Sequence, residues 1–359
     1  MTYMLKNICL SLLLLLTSFG CKENKNKDQT AQTIDESELK IGLVHDTITK
    51  KVHITLNGLP FTSYVYDGQT PKPILFPIQT KSGKTLTRGF PFEPRENERV
   101  DHPHHAGLWL NYGDVNGIDF WNNSYAIAEE EKHRYGTIVH NNVLEVNEQK
   151  GLLKIAAFWR SHEGIDLLEE TTEFRFGEKN NTRFIDRTTT LRALAPISFT
   201  DNKEGMLGIR VARALELPSD KPAVFTDSNG ISTNVEATNN EGVNGNYYGS
   251  EGLTGSEVWG TRNKWVKLEG TMEDEKVSIT IIDHPKNIGY PTYWHARGYG
   301  LFAANPLGQA VFSEGKESLN FKLDNSASVT FKYRILIHNG SELTRSELDL
   351  EFDAFTQNQ

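Results

Sequence analysis

Residues 101–121, DHPHHAGLWLNYGDVNGIDFW, place His102, His104 and His105 within four positions, out of 11 histidines in the chain. Imidazoles gathered this densely serve a metal, a proton-transfer site or an anionic ligand. Pro103 has no N–H to give to a central ladder, which puts the histidines on a loop feeding a strand. From Ala106 to Tyr112 the pattern alternates, with Leu108 and Leu110 on one face and Trp109 and Asn111 on the other. Trp109, Asn111 and Trp121 thus read as an exposed surface beside the histidines, with apolar faces to stack on a sugar ring and polar atoms for its hydroxyls.

Two further stretches carry complementary chemistry. In YPTYWHARGYG, residues 290–300, His295, Arg297 and Tyr299 fall at alternate positions and would share one face of an extended segment. Arginine there fixes a carboxylate or sulfate, while the imidazole and phenol handle protons. In NKEGMLGIRVA, residues 202–212, Lys203 and Glu204 precede Gly205 at a sheet rim. Arg210 sits inside an apolar strand, where an unpaired guanidinium is costly, so it requires a buried partner or a pocket. The catalytic candidates are therefore His104, His105, His295 and Tyr299. The substrate-binding candidates are Trp109, Asn111, Trp121, Lys203, Glu204, Arg210 and Arg297. Chemistry of this kind runs with no cofactor or with one divalent metal ion, whose candidate ligands are His102, His104 and His284. His284 enters because Asp283-His284-Pro285 echoes Asp101-His102-Pro103.

The elements that must position these groups are strands. Segments such as KVHITLNG, LPFTSYVYDG, KVSITIIDH and SVTFKYRILIHNG alternate with period two and end at Asx-Gly or similar turns. LKIAAFWRSHEGIDLLEETTEFRF reads as a hairpin turning at SHEG. A helical spacing of Leu343, Leu348 and Phe352, with Ser341 as a possible cap, appears only near the C-terminus. Many antiparallel strands without alternating helices predict an all-β fold, a large antiparallel β-sandwich with a short C-terminal helix. The Gly-, Asn- and Ser-rich residues 228–260 read as a long surface excursion.

The first 20 residues have the layout of a secretory signal, and Cys21 after SFG resembles a lipobox cysteine that becomes lipidated. Residues 21–38 are polar enough for a flexible tether, leaving residues 39–359 as a single β-sandwich catalytic domain. The expected location is lipid-anchored at the outer membrane, on its periplasmic or cell-surface side. With Cys9 in the signal and Cys21 lipidated, the domain has no thiolate ligand. A formal net charge of -9, with no basic cluster in the sequence, argues against nucleic-acid binding. P-loop, GxGxxG, GxSxG and HExxH motifs are absent.

The motifs DHPHHAGLWLNYGDVNGIDFW, KEGMLGIRVA and YPTYWHARGYGLFAANPLG resemble the bacterial family once labelled methane oxygenase PmoA-like, now a domain of unknown function. The resemblance covers nearly all of the chain after the tether. It implies an exported protein associated with carbohydrate degradation and a galactose-mutarotase-like supersandwich, and it supplies no catalytic residues. The residues themselves favour a carbohydrate-active lyase, a dehydratase eliminating water from a uronic-acid residue of an oligosaccharide derived from an acidic polysaccharide. Chain-cleaving elimination uses the same groups. Hydrolysis, mutarotation or epimerisation would rest on Glu204 with Asp101 or Asp119. A non-catalytic glycan binder would rest on Trp109, Trp121, Trp259 and Trp294.

Overall fold

The computed structural model describes residues 39–357, so the expected signal segment, the lipidation site Cys21 and the tether lie outside the described residues. Two eight-stranded antiparallel sheets make up the fold. The first runs in the spatial order Ile41–Asp46, Lys51–Leu56, Leu59–Val65, Ile74–Leu75, Leu108–Tyr112, Gly205–Arg210, Leu301–Asn305, Tyr293–Ala296. The second runs Asn246–Gly249, Trp265–Met272, Glu275–Asp283, Ser328–Asn339, Thr182–Ala193, Asp166–Lys179, Leu152–Arg160, Thr137–Asn147. Among the described residues no helix is long and apolar enough to cross a membrane.

Period-two alternation sorts the side chains of the first sheet. Leu108, Leu110, Leu207, Ile209, Phe302 and Ala304 join Ile155, Phe174, Ile279 and Ile337 of the second sheet in one buried cluster. Their neighbours Trp109, Leu301 and Ala303 point the other way and form a second cluster with Val65, Phe76, Ala106 and Trp121. The first sheet is therefore covered on both faces, by the second sheet on one and by the loops around residues 76–107 and 113–121 on the other. Long all-β chains bury enough area for this only when such loops carry apolar residues of their own.

The SHEG hairpin forms as expected between Leu152–Arg160 and Asp166–Lys179. Two other expectations change. The C-terminal helix spans Arg345–Gln357, and its cap is Thr344 rather than Ser341. Thr344 Oγ1 accepts from the Glu347 amide at 3.3 Å, and Glu347 Oε2 accepts from the Thr344 amide at 2.8 Å. That reciprocal pair is a capping box, which a Ser341 cap would have placed three residues too early. Leu348 and Phe355 then pack on Trp265, Ile282 and Leu336, closing the outer face of the second sheet. Residues 228–260, expected as one surface excursion, instead contribute the Asn246–Gly249 edge strand of the second sheet and the Ser232–Val235 strand of a small hairpin. Their composition reflects tight turns between short strands.

Gly208 shows how closely the outer cluster is fitted. A Cβ there would lie 2.7 Å from Trp109 Cζ2 and 3.0 Å from Trp121 Cη2. Gly208→Ala is therefore expected to destabilise the fold by about 1–3 kcal/mol, the usual cost of overpacking. Urea unfolding checks the loss, and near-ultraviolet circular dichroism checks the accompanying shift of the indoles; wild-type values in both would refute the fit.

Candidate functional site

The three chemistry-bearing stretches meet on the outer face of the first sheet. Trp109 pairs with Gly208, Gly208 with Ala303, and Ala303 with His295, so one row crosses four adjacent strands. At about 4.8 Å per strand, Trp109 and His295 stand three spacings apart with only small residues between them. The loop carrying His102, His104 and His105 folds over one end of this row, and the 297–300 turn folds over the other.

Arg88 fixes the histidine loop. Its guanidinium, 1% exposed, donates to the carbonyls of Arg99 (3.1 Å), Asp101 (2.8 Å), His102 (2.9 Å) and His105 (2.9 Å). It also donates to Asp101 Oδ1 at 2.9 Å, and the same oxygen accepts from Arg210 at 2.7 Å. Arg210 is fully buried and lies over the Tyr299 ring, 4.9 Å from its centroid. Burial alone would raise the Asp101 carboxyl, but Arg210, the His102 hydrogen bond and Arg88 outweigh it and hold the group well below the usual carboxylate range. Burial pushes the Arg88 guanidinium down to about 9, with Arg210 adding to the push and Asp101 resisting it.

The three loop histidines differ sharply. His105 is 1% exposed, stacks on Trp109, and meets donors at both ring nitrogens. The Trp121 indole N–H reaches Nε2 at 3.2 Å and an Arg210 N–H approaches Nδ1 at 3.3 Å. A neutral imidazole accepts at one nitrogen only, and a cationic one at neither. Burial, His104 and Arg210 accordingly hold its pKa well below the ordinary histidine value. His104 is also buried; burial, then Lys72 and His102, push it down to about 2. His102 is the exposed member, with 43% of its side chain accessible, and has a left-handed backbone at φ 45°. Non-glycine residues adopt that region uncommonly, and here the Arg88 bond to its carbonyl helps to hold it. Its ring lies parallel to Tyr299 at 5.3 Å, and its Nδ1 is 3.4 Å from Asp101 Oδ2.

At the far end, His295 is 1% exposed, and its Nε2 accepts from Arg297 Nε at 3.0 Å. Its Nδ1 has no hydrogen-bond partner and lies 3.9 Å from Glu204 Oε2. Burial, Arg297 and Lys203 push its pKa down to about 3. Arg297 rests over the half-buried Trp259 ring at 4.9 Å and has no acidic partner among the described residues. Lys203 and Glu204 pair with each other at the rim, as the sequence placed them. The strand ends at Ala296, so Tyr299 reaches the site from the Arg297–Gly300 turn rather than along one extended face. Burial raises the Tyr299 phenol above its ordinary value, with Arg210 and Arg297 opposing, so it stays protonated near neutrality.

Several expectations are corrected here. Trp109, Trp121 and Trp294 are 0% exposed, so none offers a face to a sugar. Asn111 is equally buried and donates to the Phe120 carbonyl at 2.6 Å. Trp109, Trp121 and Asn111 sit beneath the site as its floor, because the flanking loops cover what strand alternation alone would leave open, whereas Trp294 faces the main core between the sheets. His284 lies apart, edge-on to Phe355 of the C-terminal helix, so it does not join His102 and His104. Among the described residues no group of three or more His, Cys, Asp or Glu side chains is placed to hold a metal ion. Asp119 accepts from the Trp121 and Asn122 amides and from Asn122 Nδ2, which makes it a turn residue. No local sequence signal marks Arg88. His102 is only a metal candidate from the sequence, and the one signal of an exposed, oriented ring is its Asp-His order with a proline after it.

Residues 51–353 match the model described as a family of unknown function, DUF6807. That overturns the resemblance to the PmoA-like family drawn from three motifs, since the matching model spans most of the chain and is a different one. No curated protein matches the chain. Among solved structures, a GH36 α-galactosidase from Geobacillus stearothermophilus is 9% identical, with 84% of this chain and 41% of that one covered at a TM-score of 0.39. A polysaccharide lyase is 10% identical, with 88% and 34% covered at 0.30. A galactose mutarotase-like protein from Clostridium acetobutylicum is 9% identical, with 84% and 99% covered at 0.33. The chain spans less than half of the first two. These distant neighbours include carbohydrate enzymes, and at such scores no residue's role passes from them to this chain.

The shared Asp101 carboxylate yields a direct test. Asp101→Asn keeps the shape and removes the charge between two buried guanidinium groups, an expected loss of about 3 kcal/mol. The folded carboxyl titrates below its unfolded value of about 3.9, so its contribution is complete above that pH and is lost as pH falls toward the depressed folded value. Urea unfolding should show the full gap between wild type and variant at pH 7 and a narrowing gap below about pH 4. Equal stability at pH 7 would remove Asp101 from this role.

Proposed function

Since the chain belongs to the DUF6807 family, which brings no activity with it, we propose from the site itself a carbohydrate-active lyase. Its most specific form is a dehydratase acting on a uronic-acid residue of an oligosaccharide derived from an acidic polysaccharide. The observation that carries this reading is the exposed His102 ring, backed by Asp101 and parallel to the protonated Tyr299. Asp101 orients the imidazole with Nδ1–H toward the carboxylate, which leaves Nε2 as the base. Arg210, committed to Asp101, is replaced as the carboxylate-binding cation by Arg297 with Lys203.

The reaction follows from these roles. Arg297 and Lys203 hold the uronate carboxylate and so acidify the adjacent C5–H. His102 Nε2 takes that proton as the C5–H bond breaks, and the electron pair forms the C4=C5 double bond. The C4–O bond breaks, and the Tyr299 phenol gives its proton to the leaving oxygen, which departs as water from a free hydroxyl or as a sugar from a glycosidic one. The proton on His102 then returns to the phenolate through solvent. His104 and His105 stay neutral and wall the site.

The test is absorbance of the conjugated unsaturated uronate, with mass spectrometry of the products, with and without a chelator. Loss of one water from an intact oligosaccharide is expected. His102→Ala and Arg297→Ala should each lower the rate by about 100-fold or more without changing the unfolding midpoint. Full activity in either variant would end that residue's assignment. A second reading rests on His295 Nδ1 facing Glu204 at 3.9 Å, an imidazole–carboxylate pair suited to mutarotation. Altered anomer exchange with no absorbance change would favour it.

The lipid anchor at Cys21 and an outer-membrane location, periplasmic or surface-facing, belong to the same proposal. Metabolic labelling with a fatty acid should mark the wild-type chain and not Cys21→Ser; labelling of both would refute the anchor.

A further inference from the structure

A cleft of about 980 Å³ opens beside the histidine loop, walled by the 66–73 turn, residues 123–125, residues 132–140 and the 160–164 turn. Its size is at the upper end for small-molecule sites, about 300–1,000 Å³. Three features of its lining point to one kind of ligand.

The first is charge. Lys50, Lys72, Lys132 and Arg160 line it against the single acid Asp67, in a chain whose net charge is -9. Lys132 and Arg160 are paired at 2.6 Å with Glu129 and Asp166 outside the lining, while Lys50 is exposed with no acidic partner among the described residues. The second is aromatic surface. Tyr66 packs on His140 at 3.9 Å with the rings tilted by 33°, and Tyr125 stands 66% exposed. A tyrosine left open beside polar groups offers its ring to the C–H face of a sugar and its hydroxyl to the sugar's own. The third is Lys72, which is 2% exposed and donates to the His104 carbonyl at 2.7 Å. Burial pushes its ammonium down to about 7, and the acid that opposes this is Asp119. Its ammonium lies behind the cleft wall, over the Trp109 ring at 5.2 Å, so a carboxylate in the cleft would stabilise the charged form through space without touching it.

We propose that this cleft is a second saccharide site, distinct from the histidine face, that binds a uronate-bearing segment through Lys50, with Lys72 as a buried positive charge behind the wall, and stacks it on Tyr66 and Tyr125. It is a binding site and needs no turnover, so it stands whether or not elimination occurs on the outer face.

Titration calorimetry of the full chain with a uronic-acid oligosaccharide, and with a neutral one of equal length, tests it. The double variant His102→Ala/Arg297→Ala removes the outer face, and Lys50→Gln/Tyr125→Ala alters two exposed positions of the cleft. The proposal expects the outer-face variant to retain uronate binding that weakens with salt. It expects the cleft variant to lose about tenfold or more of that binding while keeping its unfolding midpoint. It is overturned if the outer-face variant binds no uronate, if the cleft variant binds as wild type does, or if the neutral oligosaccharide binds as tightly as the acidic one.

Discussion

One carboxylate oxygen, Asp101 Oδ1, stands between two buried guanidinium groups, and the site depends on that placement. Arg88 and Arg210 come from different parts of the chain, one from a loop and one from the Gly205–Arg210 strand. Burying either alone would be costly, and burying both side by side more so. Asp101 makes the pair tolerable, and in doing so draws the histidine loop down onto the sheet. Arg88 then uses its remaining donors on four loop carbonyls, so the path of residues 101–105, past the Arg99–Phe225 bridge, is held by a side chain rather than by a ladder. Loops gain precision this way when no strand partner is available to them.

The same arrangement divides labour among three adjacent histidines. Sequence proximity made them look interchangeable, yet the loop turns two rings inward and one outward. His105 is enclosed by Trp109, Trp121 and Arg210, and His104 lies against it at 4.2 Å. Both remain neutral and shape the wall. His102 takes the strained backbone conformation and the exposed position. The cluster thus holds one exposed ring, with its two neighbours as packed, uncharged support beneath it.

Much of the fold was legible from period-two alternation, because every strand near the site has one face in the main core. Leu108 and Leu110 against Trp109 and Asn111 is sorted as the sequence suggests. The burial of Trp109, Trp121 and Asn111 was not legible, since alternation reports which face a residue takes and not what later covers it. The convergence of residues 101–121, 202–212 and 290–300 could be suspected from their residue types, but their adjacency comes from a strand order that no local pattern encodes. Arg88 was invisible for a related reason. Four of its five partners are backbone carbonyls, which leave no trace in side-chain composition. The cap at Thr344 shows the opposite case, a short-range signal present in TRSE, where a threonine stands three residues before a glutamate.

The C-terminal helix closes the outer face of the second sheet, so both sheets separate it from the loop of His102, His104 and His105. Its Leu350 is 68% exposed, and residues 39–357 contain no cysteine. A thiol introduced at that position would therefore be the sole one in the described domain, on the side of the molecule remote from the histidine loop. A fluorophore or a solid support attached there would report on, or hold, the whole sandwich while leaving the histidine face open to solution.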